Sequence, residues 1–567
     1  MHDPERFLTD LSVPDLYRSH LTEIIKKIRW GTNVKILVVV DTEISTSLGV
    51  GFGIQRVIEL IRSTSVGCMS FTVDIAQRSP GAPAIVATPA AFAPKYTGFR
   101  FDMKDSDGTT PVVNRYAQIW CFGFKPDNSG GPDANITQPG ALPASDAELA
   151  VLAKWMNDRK GGMFSTGDHD YLGASMCHRI PRVRTMRRWT NADGVPPIGT
   201  PDRIDTLRLG TEPLANTPHQ GDEVPQPIQW VPWSTVWVSW FQRKARPHPV
   251  LCHPTLGPIN VMPDHAHEGL CFDTPDVNVG GSFNFDGAGN KPEYPTNSSG
   301  QQPRPLVIAY GSTLGSPPLV FEKGPQPYRP KFPMISVYDG HITNIGRVAV
   351  DSTWHHWMNV NIDNIATAGG DNWEKIKRYY INLAVWLNPP GYTTKCFLEY
   401  ICTSHFGYPG LQEYSPKLGC VELGSIVRQH LVYYWGPCWV TQFVLDHLFE
   451  INPRWHMMLS ERYLFPMDIK PPKGPRPPMP DPCLTCPPLE AIENAVMGGI
   501  VRETFKPAAE LRQLLESDKT AGQVNLETLQ KAALTGAKTG LAELSKQWQD
   551  SLNQSQELFK QLKVGAP

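Results

Sequence analysis

The stretch VKILVVV, residues 34–40, decides the fold class of this 567-residue chain. It is a short, continuous apolar run that ends at Asp41, and a glycine-rich loop follows it. The next segment, FGIQRVIELI, carries apolar residues at helical spacing, and CMSFTVDI (68–75) is a second strand candidate. Uninterrupted apolar strands that alternate with a helix are typical of a parallel sheet covered on both faces. The sequence therefore predicts an α/β fold.

The same order of elements repeats further along the chain. YAQIWCF (116–122) and MFST (163–166) are strand candidates, and a helix is predicted between them. Ser145 and Glu148 have the spacing of an N-terminal capping box for that helix, and Gly161 is placed for the first residue beyond its end. Two later strands are predicted at PLVIAYG (305–311) and RVAVDS (347–352).

Composition divides the chain into four parts. Residues 1–390 are predicted to form the α/β domain, with a proline-rich insertion at 190–304. Residues 391–468 are aromatic-rich and mainly helical, 469–489 are a stiff proline-rich linker, and 490–567 are amphipathic helices. The apolar stripe of the last helix, roughly 525–563, requires a partner. That partner is the rest of the chain, another subunit of a homo-oligomer, or a membrane surface.

Bulk properties exclude several classes of partner. The formal net charge of −2 provides no general attraction to nucleic acid. The N-terminal segment MHDPERFLTD has no signal-peptide pattern, and the longest aliphatic run, ILVVV, is too short to span a bilayer. The cysteines are scattered irregularly, which fits reduced, buried thiols. We therefore expect a cytoplasmic protein with no membrane span and a small-molecule substrate.

Three polar segments are candidates for chemistry. GDHD, with Asp168 and His169, follows the MFST strand, where ligands bind in open α/β sheets; its aspartates could instead cap a helix. MPDHAHEG contains Asp264, His265, His267 and Glu268, and its two histidines could share a divalent metal such as zinc, iron or manganese, although short H-x-H patterns are common. The third, DSTWHH, contains Asp351, His355 and His356, and at most one of the two adjacent histidines should face a pocket.

In their joint order, these segments resemble the trehalose-utilisation (ThuA-like) family. The matching positions in this chain are Gly161, Gly162 and His169, then His253 and Pro254, the acidic segment Asp264 to Glu268, Gly346 to Val348, and His355 or His356. The resemblance covers roughly residues 30–390. It implies a class I glutamine amidotransferase-like fold, which is a flavodoxin-type, doubly wound, mostly parallel sheet, here with long loop insertions.

The chain departs from the amidotransferase pattern at the nucleophile. The turn after the MFST strand has no cysteine, so glutaminase chemistry is not expected. A nearby segment, HRIPRVRTMRRW, is rich in arginine; Arg182 and Arg187 could bind substrate carboxylate or phosphate, or could be salt-bridged surface residues. Asp41 and His356, at two strand ends, complete the predicted substrate-binding set.

Two functions follow from these observations. The first is a hydrolase or lyase for a small carbohydrate-related molecule, with the carbohydrate implied only by the resemblance. Its catalytic set is Asp168, His169, His253, Asp264, His265, His267, Glu268 and His355, and a metal at His265 and His267 is the expected cofactor, if there is one. The alternative is a non-catalytic assembly protein with a C-terminal oligomerisation arm. Trp230, Trp233, Trp237 and Trp240, at spacings of three and four, suggest a helical core stripe or the walls of a binding pocket.

Overall fold

The central feature of the computed structural model is a mixed sheet with a largely parallel centre. Its main elements in chain order are β1 (Asn33–Val40), α1 (Gln55–Ser63), β2 (Met69–Gln77), β3 (Gln118–Phe122), α2 (Asp146–Asp158), β4 (Gly162–Thr166), β5 (Leu306–Gly311), β6 (Phe332–Tyr338) and β7 (Val348–Asp351). The structure describes residues 32–47, 49–125, 142–167, 172–190, 193, 225–239, 242–263, 269–284, 289–311, 319–321, 324–326, 332–407, 417–452, 487–516 and 526–561.

The strands lie in the order β2-β1-β3-β4-β7-β6-β5. The first five of these are parallel to one another, whereas β6 and β5 run antiparallel to their neighbours. Because β1, β3, β4 and β7 point the same way, their carboxyl ends meet at one edge of the sheet. The predicted α/β class with a mostly parallel sheet is therefore confirmed.

Buried side chains alternate between the two faces of β1. Ile36 and Val38 belong to the hydrophobic cluster that contains α1, whereas Leu37 and Val39 belong to the cluster that contains α2. Both faces of this strand are thus dry from Ile36 to Val40, which explains why that part of its sequence has no polar residue. The capping box of α2 forms as predicted: Ser145 and Glu148 each accept the other's backbone N–H.

The end of α2 differs from the prediction by one residue. Lys160, with φ of 57°, is the first residue beyond the helix end, the position predicted for Gly161, and adopts the left-handed conformation common there. Gly161 is needed for a different reason, because a Cβ atom there would lie 2.2 Å from the ring of Trp155. The short contact between chain and ring, rather than the backbone angle, requires glycine at this position.

The chain after β7 is helical. Its helices are α3 (Asn359–Ala368), α4 (Gly370–Trp386), α5 (Tyr392–Gly407), α6 (Cys420–Tyr434), α7 (Pro437–Ile451), α8 (Leu489–Glu516) and α9 (Leu526–Gln561). They extend the cluster on the α1 face of the sheet into a thick helical layer. The sulfur atoms of Cys68, beside β2, and Cys396, on α5, are bonded, which joins sheet and helices and differs from the reduced thiols expected here.

The first half of α9 packs on the chain's own α8. Leu529, Ala533, Ala537 and Leu544 are buried there, and a Cβ on Gly536 would lie 2.3 Å from the carbonyl of Gly499. Glycine therefore permits the close approach of the two helices. None of the described helices is long and apolar enough to cross a membrane.

Short elements fill the connections. The short strands are Ser65–Val66, Ala84–Ile85, Tyr96–Thr97, Gln226–Pro227, Gln229–Trp230, Pro232–Ser239, Gln242–Pro247, Cys252–His253, Gly257–Pro258, Val261–Met262, Ser282–Phe283, Lys291–Pro292, Leu319–Phe321 and Gly324–Gln326. Short helical turns lie at Val112–Arg115, Ala174–Cys177, Val183–Met186, Pro249–Leu251, Thr274–Asp276 and Gly340–Thr343. The helical stripe suggested for the four tryptophans is wrong. Trp230, Trp233 and Trp237 lie in strands, and Trp240 is outside the described residues.

Candidate functional site

The carboxyl edge of the sheet brings several predicted site residues together. Asp41 directly follows β1, and Asp351 is the last residue of β7, paired in register with Thr166 at the end of β4. His355 and His356 lie in the turn that follows Asp351. This edge is where open α/β sheets bind ligands, so its polar side chains are the starting point for a site.

The most specific contact at this edge joins Asp351 and His356. The imidazole Nδ1 of His356 lies 3.0 and 2.9 Å from the two carboxylate oxygens of Asp351. The same carboxylate accepts the indole N–H of Trp357 at 3.3 Å and the backbone N–H of Thr353 at 3.3 Å. Both Asp351 and His356 are fully buried. We call this pair the Asp351–His356 dyad.

Aromatic side chains hold the turn that carries the dyad. The ring of Trp357 packs against Phe164 of β4, with centroids 4.5 Å apart. The hydroxyl of Tyr380, on α4, donates a hydrogen bond of 2.5 Å to the backbone carbonyl of His356. Burial, reinforced by the nearby Asp351 carboxylate, raises the pKa of Tyr380 well above its usual value, so this hydroxyl stays a donor. Ring packing and this bond fix the position of His356.

The second nitrogen of the His356 ring has a different environment. Within the described part of the chain, Nε2 is buried and has no hydrogen-bond partner. When Nδ1–H of the neutral ring donates to Asp351, Nε2 carries the free lone pair. A carboxylate that fixes the tautomer also stabilises the imidazolium that forms when Nε2 takes a proton. The dyad is therefore arranged for general acid–base chemistry.

His355 points into different surroundings from His356. Its ring stacks on Trp354, with centroids 4.0 Å apart, and it is buried. This divergence agrees with the expectation that adjacent histidines do not share one pocket. Asp351 was one of the sequence candidates, because it ends an apolar strand next to two histidines, although no role was assigned to it. Trp357 and Tyr380 were not among the predicted functional residues, and Tyr380 looks like an ordinary residue of an amphipathic helix.

Asp41 joins the ends of β1 and β3 through hydrogen bonds to the backbone. Its carboxylate accepts the backbone N–H groups of Glu43 at 3.1 Å, of Lys125 at 2.6 Å and of Phe124. Burial raises the pKa of Asp41, although these hydrogen bonds oppose the rise. Since its carboxylate already has three backbone partners, Asp41 is placed to hold the two strand ends together.

The two arginines predicted to bind substrate are buried and bonded to the protein itself. Arg187 donates from Nε to the carbonyl of Asp351 at 3.1 Å and from Nη2 to that of Ser352 at 2.7 Å. Arg182 donates to Asn157 at 2.8 Å and to the carbonyl of Glu293 at 3.2 Å. Both are almost completely inaccessible to solvent. We correct their expected role, because both guanidinium groups are bonded to the protein itself. Arg187 supports the turn after β7.

His253 lies in a short hairpin that packs on α4. Its Nδ1 accepts the backbone N–H groups of Thr255 at 3.1 Å and Leu256 at 3.0 Å. Partial burial, with a smaller contribution from the positive charge of Arg378, lowers the pKa of His253 to about 4. None of its described contacts is with a residue of the dyad, so the structure does not bring this histidine together with His356.

The remaining predicted residues lie outside the described residues. These are Asp168, His169, Asp264, His265, His267 and Glu268. The described neighbours of both segments are at the carboxyl edge: Gly167 directly follows β4, and a Cβ on Gly269 would lie 1.8 Å from the carbonyl oxygen of Ser352. In the described ranges, no group of three or more His, Cys, Asp or Glu side chains could hold a metal ion.

Comparison with other proteins identifies no relative. No family model, curated protein or solved structure matches the chain.

Proposed function

We propose that this protein is a hydrolase or lyase in which His356 is the general acid–base group and Asp351 orients it. The observation that carries the proposal is the buried dyad at the carboxyl edge, with Nδ1 bound to a carboxylate and Nε2 directed away from it without a partner among the described residues. A buried polar atom left without a hydrogen bond is costly, so such an atom is a candidate for a functional role.

The proposed chemistry is a proton transfer at Nε2. In a hydrolase, Nε2 accepts a proton from water as the water oxygen attacks the substrate, and then returns that proton to the leaving group. In a lyase, it accepts the proton from a substrate carbon, the electron pair of that C–H bond forms a double bond to the neighbouring carbon, and the imidazolium returns the proton to the group that leaves from there. The negative charge of the Asp351 carboxylate would stabilise the imidazolium between these two steps. The hydroxyl of Tyr380 keeps the turn in place while the ring changes charge.

The fold and the substrate class belong to the same proposal. We infer a doubly wound, flavodoxin-type sheet, supported by the strand order β2-β1-β3-β4 and by α1 and α2 on opposite faces. A small carbohydrate-related substrate and membership of the ThuA-like family are supported only by the order of sequence motifs. The contributions of His169, His265 and His267 stay predictions.

The test is turnover by the full chain on chromogenic glycosides and sugar lactones. His356→Gln, which keeps a polar side chain of similar length, should lower kcat by about 100-fold or more, the usual contribution of a general acid–base group. The matched control is His253→Gln, which removes a histidine without touching the dyad. Equal turnover by His356→Gln and the unmodified protein would overturn the assignment, and so would equal losses in both variants.

The metal prediction has its own test. Metal content of the purified protein, measured beside that of the variant His265→Ala plus His267→Ala, distinguishes a metal-assisted site from unassisted acid–base chemistry. Stoichiometric zinc, iron or manganese that is lost in the variant would assign a metal to His265 and His267. Equal metal content in the two proteins would contradict a site at these histidines.

A second candidate function is assembly through the end of α9. Beyond Leu544 most of this helix is exposed, and Leu558 is 58% accessible. An oligomerisation arm would have such a helix end. A chain that stops after Leu544 should then lose its oligomeric mass in light scattering, whereas an unchanged mass would exclude the arm.

A further inference from the structure

Two large apolar side chains are exposed on one loop at the carboxyl edge. Val50 is 39% accessible and Phe52 is 38% accessible, and both belong to the glycine-rich loop between β1 and α1. Folding normally buries such groups, and apolar surface that is left beside a crevice is a feature of ligand sites. This surface is separate from the Asp351–His356 dyad, which is buried.

A cluster of aromatic rings supports Phe52 from below. Its centroid lies 5.3 Å from that of Trp354 and 6.4 Å from that of Phe124, and these two rings are 5.7 Å apart. Trp354 is itself buried and stacked on His355. The exposed ring is thus packed on its inner side and presents its outer side to solvent. We call Phe52, Phe124 and Trp354 the aromatic platform.

The loop that carries Phe52 is fixed by the start of α3. The backbone N–H groups of Asn359 and Val360 donate to the carbonyls of Gly53 at 2.7 Å and Gly51 at 3.0 Å. The side-chain amide of Asn359 donates to the carbonyl of Val50 at 3.0 Å. Because these bonds are made within the protein, the platform is preformed, and a ligand would not have to order the loop when it binds.

The platform lies where the chain reverses its direction across the sheet. From β1 the chain passes to β2 on one side and later to β3 on the other, and Asp41 joins the ends of β1 and β3. In open α/β sheets the crevice at such a switch point is the usual ligand site. Lys125, next to Phe124 in the chain, forms an ion pair with Glu43, and Asp41 is bonded to backbone N–H groups, so these charges already have partners within the protein.

We propose that the aromatic platform binds the planar heteroaromatic ring of a small ligand, of the class that includes flavins and nucleobases. A flat π-system can stack against the exposed side of the Phe52 ring, which buries apolar surface of both partners. This site is independent of the acid–base chemistry proposed for His356. Flavin and nucleobase share the stacking chemistry, so two probes are needed to distinguish them.

The experiment is calorimetric titration of the full chain with riboflavin and, separately, with adenosine, which present the two rings without a phosphate. We expect saturable binding of one probe at a single site. Phe52→Ala should weaken it by about tenfold, because a stacked ring pair contributes about 1 kcal/mol beyond the apolar area that is also lost. Phe52→Trp should retain the binding.

Tyr433→Ala is the matched control. Tyr433 is also an exposed ring, 60% accessible, but it lies on α6. Ring binding should be unchanged in this variant and in His356→Gln. The test of the platform can therefore fail while the acid–base role of His356 stands, and the reverse. Absence of saturable binding for both probes would overturn the proposal. An equal loss in Phe52→Ala and Tyr433→Ala would do the same.

Discussion

Two buried carboxylates, Asp351 in the sheet and Glu493 in the helical layer, have opposite arrangements of partners. Glu493 accepts hydrogen bonds from Thr441 at 2.7 Å, from Arg428 at 2.6 Å and from Arg246 at 3.4 Å. Asp351 instead binds His356, whose far nitrogen has no partner in the described part of the chain. The Glu493 network joins helices α6, α7 and α8 to the strand Gln242–Pro247.

We infer from this difference that the buried charges around Glu493 have a structural role, whereas those of the dyad have the functional role that we propose. Burial alone would raise the pKa of Glu493, but Arg428 and Arg246 together hold it below its usual value. A fully bonded network of this kind contributes to stability when it is intact. Removal of one member leaves a buried charge uncompensated and lowers the free energy of unfolding substantially. In the dyad, by contrast, Nε2 of His356 has no hydrogen-bond partner among the described residues. We therefore expect substitutions in the network to change stability and substitutions in the dyad to change activity.

The largest expected effect is that of Glu493→Gln. The amide cannot neutralise Arg246 and Arg428, so the free energy of unfolding should fall by about 4 kcal/mol, measured by urea denaturation. Glu490→Gln is the matched control, because Glu490 binds the same Arg428 but is one-third exposed. That control should cost less than about 1 kcal/mol. Equal losses of unfolding free energy in the two variants would contradict a special structural role for the buried Glu493.

His248, a buried histidine in neither the Glu493 network nor the dyad, should make stability depend on pH. Desolvation lowers the pKa of His248 to about 3, and its ring is packed between Trp233 and Trp386. Its ordinary value is about 6.5, so as the pH falls below this value the unfolded chain takes up a proton that the folded chain does not. Stability should therefore fall by about 1.4 kcal/mol per pH unit for this group until the pH reaches its folded pKa.

The measurement is urea denaturation of the unmodified protein and of His248→Gln at several pH values between 4 and 7. The variant should show a shallower loss of stability on acidification, by the contribution of one proton. A slope equal to that of the unmodified protein would show that His248 does not remain neutral in the folded state.

His356→Gln should have a smaller effect on stability. The glutamine amide can still donate to Asp351, so the free energy of unfolding should change by only about 1 kcal/mol. Thermal denaturation beside Glu493→Gln measures this difference. If His356→Gln costs as much as Glu493→Gln, the dyad is a structural network like the other one.

The smallest effect is expected for an exposed ion pair. Lys531 and Glu527 lie one turn apart on α9, 2.6 Å from each other, and their side chains are 75% and 69% accessible. Lys531→Ala should leave the free energy of unfolding unchanged within the error of the assay, because solvent screens the pair. A clear loss of stability in the same denaturation assay would contradict this.

Local patterns in the sequence predicted much of the fold. The apolar runs of β1 and β3, the capping box of α2 and the long last helix follow from periodicity and end signals within a few residues. The antiparallel strand β6 was not predicted. Trp230, Trp233 and Trp237 have helical spacing but lie in strands. Trp230 pairs with Ala309, far along the chain, whereas Trp233 and Trp237 lie in a strand that forms a hairpin with Gln242–Pro247.

The candidate site was less predictable than the fold. The sequence placed Asp41 and the two adjacent histidines at strand ends, and that position is confirmed. It could not show that Arg187 is buried against the carbonyls of Asp351 and Ser352, because burial depends on segments far apart in the chain. It also could not show which of the two histidines meets Asp351.

The most direct test of the central claim is the tautomer of His356, measured by ¹⁵N chemical shifts of the imidazole in the full chain, with His356→Gln to assign the signals. The account predicts that in the neutral ring Nδ1 carries the proton, held by Asp351, and Nε2 is unprotonated. Asp351→Asn should change the His356 shifts, because it replaces the acceptor. A neutral ring protonated at Nε2 would contradict the account, since that nitrogen could not then act as a base.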